Sequence, residues 1–120
     1  MVMSVVGVAK PVALVLVYSA HCPYCQRFIP VVKAIQQKSA LSLISFTVDE
    51  PSPLLPESAP ITPPLIKRWL GHDIKVPALF LYSDTHRLYP VSVGFLSQSQ
   101  LNSRLDTLGQ KIRQVEEGRT

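Results

Sequence analysis

The strongest structural signal in the chain lies in residues 12–25, which read VALVLVYSAHCPYC. Residues 12–18 form a β-branched apolar run, which is typical of a strand buried on both faces of a sheet. Residues 23–38 then carry apolar side chains at a helical period, and Pro30 among them is expected to kink the helix because it removes a backbone donor. The pattern therefore places the motif Cys22-Pro23-Tyr24-Cys25 at a junction between a buried strand and a helix.

The next segments predict two strands and a proline-rich loop. Residues 41–48 have the composition of a second strand, and residues 2–8 that of a weaker one. Residues 51–64 contain six of the 11 prolines, which excludes a helix or a central strand and predicts a loop with polyproline character. A loop of this length is either a solvated connector or a functional insertion.

The second half of the chain predicts a helix, a hairpin and a final helix. The first of these helices begins at Thr62-Pro63 and ends at Gly71, and two strands follow at residues 78–82 and 88–93. Ser97 begins the final helix, with Gln100 at capping-box spacing. The apolar stripe of this helix is Leu101, Leu105, Leu108 and Ile112. The order βαβαββα predicts an α/β fold with a mixed central sheet, in which the first two strands are parallel and the last two form an antiparallel hairpin.

Size and composition exclude several classes of protein. The 120 residues suit a single domain, 1–120, and two cysteines are too few for a disulfide-rich scaffold or a four-cysteine zinc site. The net charge of +4 is not clustered, so we expect no nucleic-acid partner. No apolar run is long enough to span a membrane and no export signal is visible. The sequence as written therefore indicates a cytoplasmic protein, or a periplasmic one if the chain is a trimmed piece.

The cysteine pair predicts redox chemistry. A thiol at the start of a helix lies beside unpaired backbone N–H groups and the positive end of the helix dipole, and both favour the reactive thiolate. The spacing lets the two sulfurs form a disulfide, and the first cysteine is the more exposed in this geometry. We therefore expect Cys22 to attack a substrate disulfide and Cys25 to resolve the mixed disulfide.

Three other uses of the cysteines stay open at this point. A structural disulfide would close a very small loop and so gain little stability. A zinc site would need help from His21, His72 or His86, none of which has ligand-like spacing, so we expect no metal. Inert buried thiols are the third alternative.

With these motifs in place, the chain resembles the thioredoxin superfamily over nearly all of residues 12–113. The Cys22–Cys25 tetrad is similar to that of glutaredoxins, and Pro30 stands where thioredoxins carry a helix-kinking proline. Val76-Pro77, before an apolar strand, resembles the family's cis-proline. The resemblance implies that the backbone of Val76 pairs with an extended substrate across Cys22, and that Pro23, Tyr24, Val76 and Pro77 contact the substrate. Residues 94–101 resemble the last strand-to-helix turn of the family.

The chain departs from that family at several positions. Leu16 stands where thioredoxins have a buried acid, which leaves open how Cys25 is deprotonated. A single glycine, Gly94, replaces the Gly-Gly turn with which glutaredoxins bind glutathione, so a glutathione site is not favoured. His21 is either an electrostatic partner of the Cys22 thiolate or only an exposed neighbour. The insertion at residues 51–64, combined with the strings VPALFL at residues 76–81 and GFLS at residues 94–97, is similar to thioredoxin-like proteins of bacterial conjugative-pilus assembly, which act in the periplasm.

The residues and the resemblance together predict a thiol-disulfide oxidoreductase acting on protein disulfides. It would need no cofactor beyond the Cys22–Cys25 pair, would depend on a redox partner that the sequence does not identify, and is expected to be a monomer. One alternative is a glutathione-dependent glutaredoxin. The other is a thioredoxin-fold binding module that uses the proline loop as its contact surface, with cysteines that play no part in function.

Overall fold

The structure is a computed structural model that describes residues 11–71 and 75–117, so the weak strand predicted at residues 2–8 lies outside the described residues. The elements, in chain order, are β1 (Pro11–Tyr18), α1 (Pro23–Lys38), β2 (Ser42–Thr47), β3 (Ala59–Pro60), α2 (Pro63–Leu70), β4 (Ala78–Ser83), β5 (Leu88–Val93) and α3 (Gln98–Glu117). The five strands form one sheet in the order β3-β2-β1-β4-β5.

Strand directions in the sheet confirm the predicted mixed topology. β1 and β2 are parallel, with Val17 beside Phe46. β4 runs antiparallel to β1, and β5 runs antiparallel to β4. The carboxyl ends of β1 and β2 therefore lie side by side at one edge of the sheet, and β4 begins at that same edge, because Ala78 is paired with Val17.

β1 occupies the centre of the sheet because its apolar side chains can be buried in both directions. Leu14, Leu16 and Tyr18 point into one cluster with residues of α1 and α3. Val15 and Val17 point into a second cluster with Phe80 and residues of α2. The β-branched run thus forms a strand covered by helices on both faces, as the sequence predicts.

The helix boundaries also follow from local sequence. α1 begins after Cys22 at the N-cap with Pro23 in the first turn, where its missing N–H costs nothing. In α3, the N–H of Ser97 donates to Gln100 Oε1 at 3.0 Å and the N–H of Gln100 donates to Ser97 Oγ at 3.3 Å, which confirms the capping box. Leu101 and Ile112 of the predicted stripe are buried in the core.

The proline-rich segment differs from the prediction for residues 51–64. Ala59 and Pro60 form β3, a two-residue edge strand parallel to Phe46 and Thr47, so the element order is βαββαββα. Proline is tolerated at a sheet edge because the donor it lacks need not face a neighbouring strand. The rest of the segment folds onto the core through Ser52, Leu55 and Ser58, all of which are buried.

Candidate active site

Cys22 and Cys25 lie where the first strand passes into the first helix. The turn after β1 is closed by the N–H of Cys22, which donates to the carbonyl of Ser19 at 3.3 Å. Gln26 supports the same turn, because its side-chain amide donates to the carbonyl of Ala20 at 2.7 Å. Both cysteines are free thiols; Cys22 is partly exposed and Cys25 is buried, which is the order of exposure that the sequence predicts.

The surroundings of Cys25 favour the protonated form of its thiol. The pKa of its thiol is raised to about 12, mainly by burial; the neighbouring Cys22 thiol and the charge of Asp49 act in the same direction, and the N–H of Ser19 opposes them. That N–H donates to the Cys25 sulfur at 3.5 Å. A buried thiol with a raised pKa therefore follows a partly exposed thiol within the first turn of α1, which is the arrangement that two successive thiol-exchange steps require.

Asp49 is a residue at this site that the sequence analysis missed. It follows β2, and its carboxylate accepts the hydroxyl of Ser19 on Oδ2 and the N–H of Ala20 on Oδ1, the latter at 2.9 Å. The hydroxyl of Thr47 and the N–H of Glu50 also donate to Oδ1, at 2.9 and 2.6 Å. The Ser19 bond, then the backbone donors, hold the pKa of this carboxyl far below its usual range, so Asp49 is charged.

A usable signal for Asp49 existed in the sequence. It is the first acid in the chain, and it comes directly after a predicted strand. Because the carboxyl ends of parallel neighbouring strands meet at one edge of a sheet, a residue that follows β2 lies close to the turn that follows β1. Leu16, by contrast, is fully buried in the apolar core at the position where thioredoxins carry an acid.

The Val76–Pro77 segment reaches the same edge of the sheet. Its peptide bond is cis, and the carbonyl of Pro77 accepts the N–H of Gly94 at 2.7 Å. Since Ala78 is paired with Val17, this segment stands at the end of β1 from which the cysteine turn departs. Val76 is partly buried and packs against the cluster that contains Cys25, as does Cys22.

Aromatic side chains are exposed near the cysteines. Tyr24 is 62% exposed and Phe95 is 42% exposed, and the ring of Phe95 meets that of Phe28 in α1 edge-to-face at 6.0 Å. Pro23 is exposed beside Tyr24. His21 is also exposed, and its Nε2 lies 3.2 Å from Glu50 Oε1. Of the four residues that the sequence predicts for substrate contact, Pro23 and Tyr24 begin α1, and Val76 and Pro77 directly precede β4 at the same edge of the sheet.

Two further findings concern metals and membranes. Within residues 11–71 and 75–117, no group of three or more His, Cys, Asp or Glu side chains is arranged to hold a metal ion. Among those residues, too, no helix combines the length and the hydropathy needed to cross a membrane.

The fold and the position of the cysteine pair define a thioredoxin-like protein. The chain belongs to the family described as "TraF: F plasmid transfer operon protein", whose family model matches residues 5–105. It is 30% identical over 98 residues to Protein TrbB of Escherichia coli strain K12, a match that covers 79% of this chain and 54% of TrbB. The chain therefore spans about half the length of that curated relative.

Solved structures support the same fold at low sequence identity. DsbF of MTB, solved in mixed oxidized and reduced forms, matches with a TM-score of 0.53 at 18% identity, over 88% of this chain and 84% of DsbF. StoA of Bacillus subtilis matches with a TM-score of 0.51 at 19% identity, over 82% of this chain and 83% of StoA. The predicted thioredoxin-like α/β fold is thus confirmed.

Proposed function

We propose that this protein is a thiol-disulfide oxidoreductase that acts on protein disulfides through Cys22 and Cys25. The observation that supports it is the pairing of a partly exposed thiol at the N-cap of α1 with a buried thiol three residues further on, in the first turn of the same helix. A disulfide in another protein can reach only an exposed sulfur. A second thiol within bonding reach is what allows the mixed disulfide to be released without a further reagent.

The reaction consists of two exchanges. The thiolate of Cys22 attacks one sulfur of the substrate disulfide, a Cys22–substrate bond forms, and the other substrate sulfur leaves as a thiolate. Cys25 then gives up its proton and attacks Cys22 Sγ, and the second substrate sulfur leaves and takes up a proton. The substrate gains two electrons, and Cys22 and Cys25 end as a disulfide. Run in reverse, the same steps oxidise a substrate dithiol.

The surroundings of Cys22 favour an extended peptide as substrate. The main chain of Val76 precedes a buried strand at the same edge of the sheet, which suits the addition of a substrate strand. The exposed rings of Tyr24 and Phe95 offer apolar contacts nearby. The single glycine at residue 94, followed by Phe95, gives less support to a glutathione site.

We propose protein partners on the same grounds. The family description, an F plasmid transfer operon protein, supports substrates among proteins that take part in plasmid transfer. A second redox protein must restore the cysteine pair after each turnover, because each cycle leaves the pair in the opposite redox state. The chain would act as a single domain and a monomer, with the cysteine pair as its only redox group.

Single-serine variants test this proposal. The reduced chain, mixed with the small aromatic disulfide DTNB, should release both thionitrobenzoate groups of one DTNB molecule, while Cys25→Ser should release one and retain the other as a mixed disulfide. Cys22→Ser, the matched control with the same change at the other cysteine, should react slowly in this assay and fail to reduce insulin. Full insulin reduction by Cys22→Ser would show that the assignment is wrong. Activity on a glutathione mixed disulfide that survives Cys25→Ser would indicate a glutaredoxin instead.

A further inference from the structure

One carboxylate, that of Asp49, links the turn before the cysteines to the end of the neighbouring strand β2 by hydrogen bonds. Asp49 accepts from Ser19 and Ala20 in the turn after β1, and from Thr47 and Glu50 in its own segment. Thr47, the last residue of β2, makes two further contacts in this segment. Its hydroxyl lies 2.7 Å from the carbonyl of Glu50 and accepts the N–H of Asp49 at 3.2 Å. The carboxylate therefore joins the ends of β1 and β2.

Ser19 connects this carboxylate to the buried thiol. Its hydroxyl donates to Asp49, and its backbone N–H donates to the Cys25 sulfur at 3.5 Å. The direction of that N–H depends on the orientation of the peptide unit between Tyr18 and Ser19. Asp49 restrains this part of the backbone through two hydrogen bonds, one from the side-chain hydroxyl of Ser19 and one from the backbone N–H of Ala20.

We propose that Asp49 is the positioning residue of the cysteine pair: it holds Ser19 so that the Ser19 N–H is presented to Cys25, and it places one negative charge beside the pair. The inference rests on the proposed redox function. Position and charge act on different steps. Position controls how fast Cys25 reaches Cys22 Sγ in a mixed disulfide, because small displacements of reacting groups cost large factors in rate. Charge disfavours the thiolates of the reduced pair relative to the disulfide.

The two oxygens of Asp49 allow these effects to be separated. Three of the four donors contact Oδ1, and the fourth, the Ser19 hydroxyl, contacts Oδ2. In Asp49→Asn the amide oxygen can replace Oδ1, and the amide nitrogen can donate to the Ser19 oxygen, so the turn is retained and only the charge is lost. In Asp49→Ala the hydrogen bonds that hold the turn and the negative charge are both lost. Glu50→Gln is the matched charge control, since it removes the charge of the next residue, which is exposed and faces His21.

The second phase of the DTNB reaction measures positioning. This phase reports Cys25 attacking Cys22 in the mixed disulfide, and we expect Asp49→Ala to slow it by about tenfold or more. Asp49→Asn should restore it to within about threefold of the unmodified chain, and Glu50→Gln should leave it unchanged. Thermal unfolding of each variant is measured in parallel. A variant that loses thermal stability but resolves at the original rate would show that Asp49 has only a structural role, which would overturn the positioning claim.

The reduction potential of the pair measures charge. Removal of a negative charge stabilises the reduced pair, so Asp49→Asn should shift the potential upward while Glu50→Gln leaves it in place. Equal potentials in the two variants would overturn the charge claim. Every variant retains both cysteines, so the unmodified chain tests the redox function and the variants test only the role of Asp49. If the unmodified chain releases both thionitrobenzoate groups and the Asp49 variants behave like Glu50→Gln, then only the role of Asp49 is wrong.

Discussion

Replacement of Tyr18 by Phe tests how the proline-rich segment is held on the core. The Tyr18 side chain is fully buried, and its hydroxyl lies 2.6 Å from Ser58 Oγ and accepts the N–H of Ser52 at 2.9 Å. Ser52 and Ser58 are 3% and 8% exposed. Loss of the hydroxyl leaves the Ser52 N–H without its partner in a place that water hardly reaches. A buried donor left unpaired costs about 1–3 kcal/mol, so the free energy of unfolding should fall by about 2 kcal/mol.

Urea unfolding measures this change directly, and the chain offers a matched control. Tyr82 is a half-buried tyrosine in β4, and its hydroxyl makes a solvent-exposed hydrogen bond of 2.8 Å with His86 Nδ1. Tyr82→Phe should therefore change the free energy of unfolding by no more than about 0.5 kcal/mol. If Tyr18→Phe and Tyr82→Phe lower the free energy of unfolding by the same amount, the proline-rich segment is not anchored by the Tyr18 hydroxyl.

Two further predictions concern Cys25 and the glycines. The pKa of Cys25 is raised from 9.0 to about 12 on folding. Its contribution to stability is therefore fully present below about pH 9 and is lost as the pH rises towards 12. Urea unfolding of the reduced chain should show this loss of stability, and urea unfolding of Cys25→Ala should not. Gly94 has a φ of 99° and open space where a Cβ would stand, so Gly94→Ala should lower the free energy of unfolding by about 1 kcal/mol through backbone strain. Gly109 lies inside α3, so Gly109→Ala should raise the free energy of unfolding by about 0.5–1 kcal/mol. Equal effects of the two variants in thermal unfolding would contradict this.

Local sequence was sufficient to predict most of the elements and the cysteine pair. Short stretches of sequence encode the β-branched run of β1, the apolar periodicity of α1 and the capping box at Ser97. The structure contains each of these features. The cysteines belong to this class as well, because the junction that exposes Cys22 and buries Cys25 follows directly from a buried strand that ends just before a helix.

The features that sequence reasoning missed depend on contacts between distant segments. Asp49 acts on a turn 29 and 30 residues earlier in the chain, so its role appears only once β1 and β2 are known to be parallel neighbours. Strand β3 has two residues, one of them a proline, and exists because the edge of β2 offers it partners. Ser52 and Ser58 look like solvated loop residues, and they are buried because the Tyr18 hydroxyl supplies a polar partner inside the core.

The reduction potential of the Cys22–Cys25 pair shows whether the two cysteines act as one redox centre. Equilibration of the chain in glutathione redox buffers, followed by alkylation of free thiols and mass measurement, gives the fraction oxidised. We expect a single two-electron transition that joins both cysteines, at about −200 mV by analogy with proteins that carry a similar tetrad. Thiols that stay free throughout the series, or a disulfide with a potential below about −300 mV that behaves as a structural bond, would contradict it.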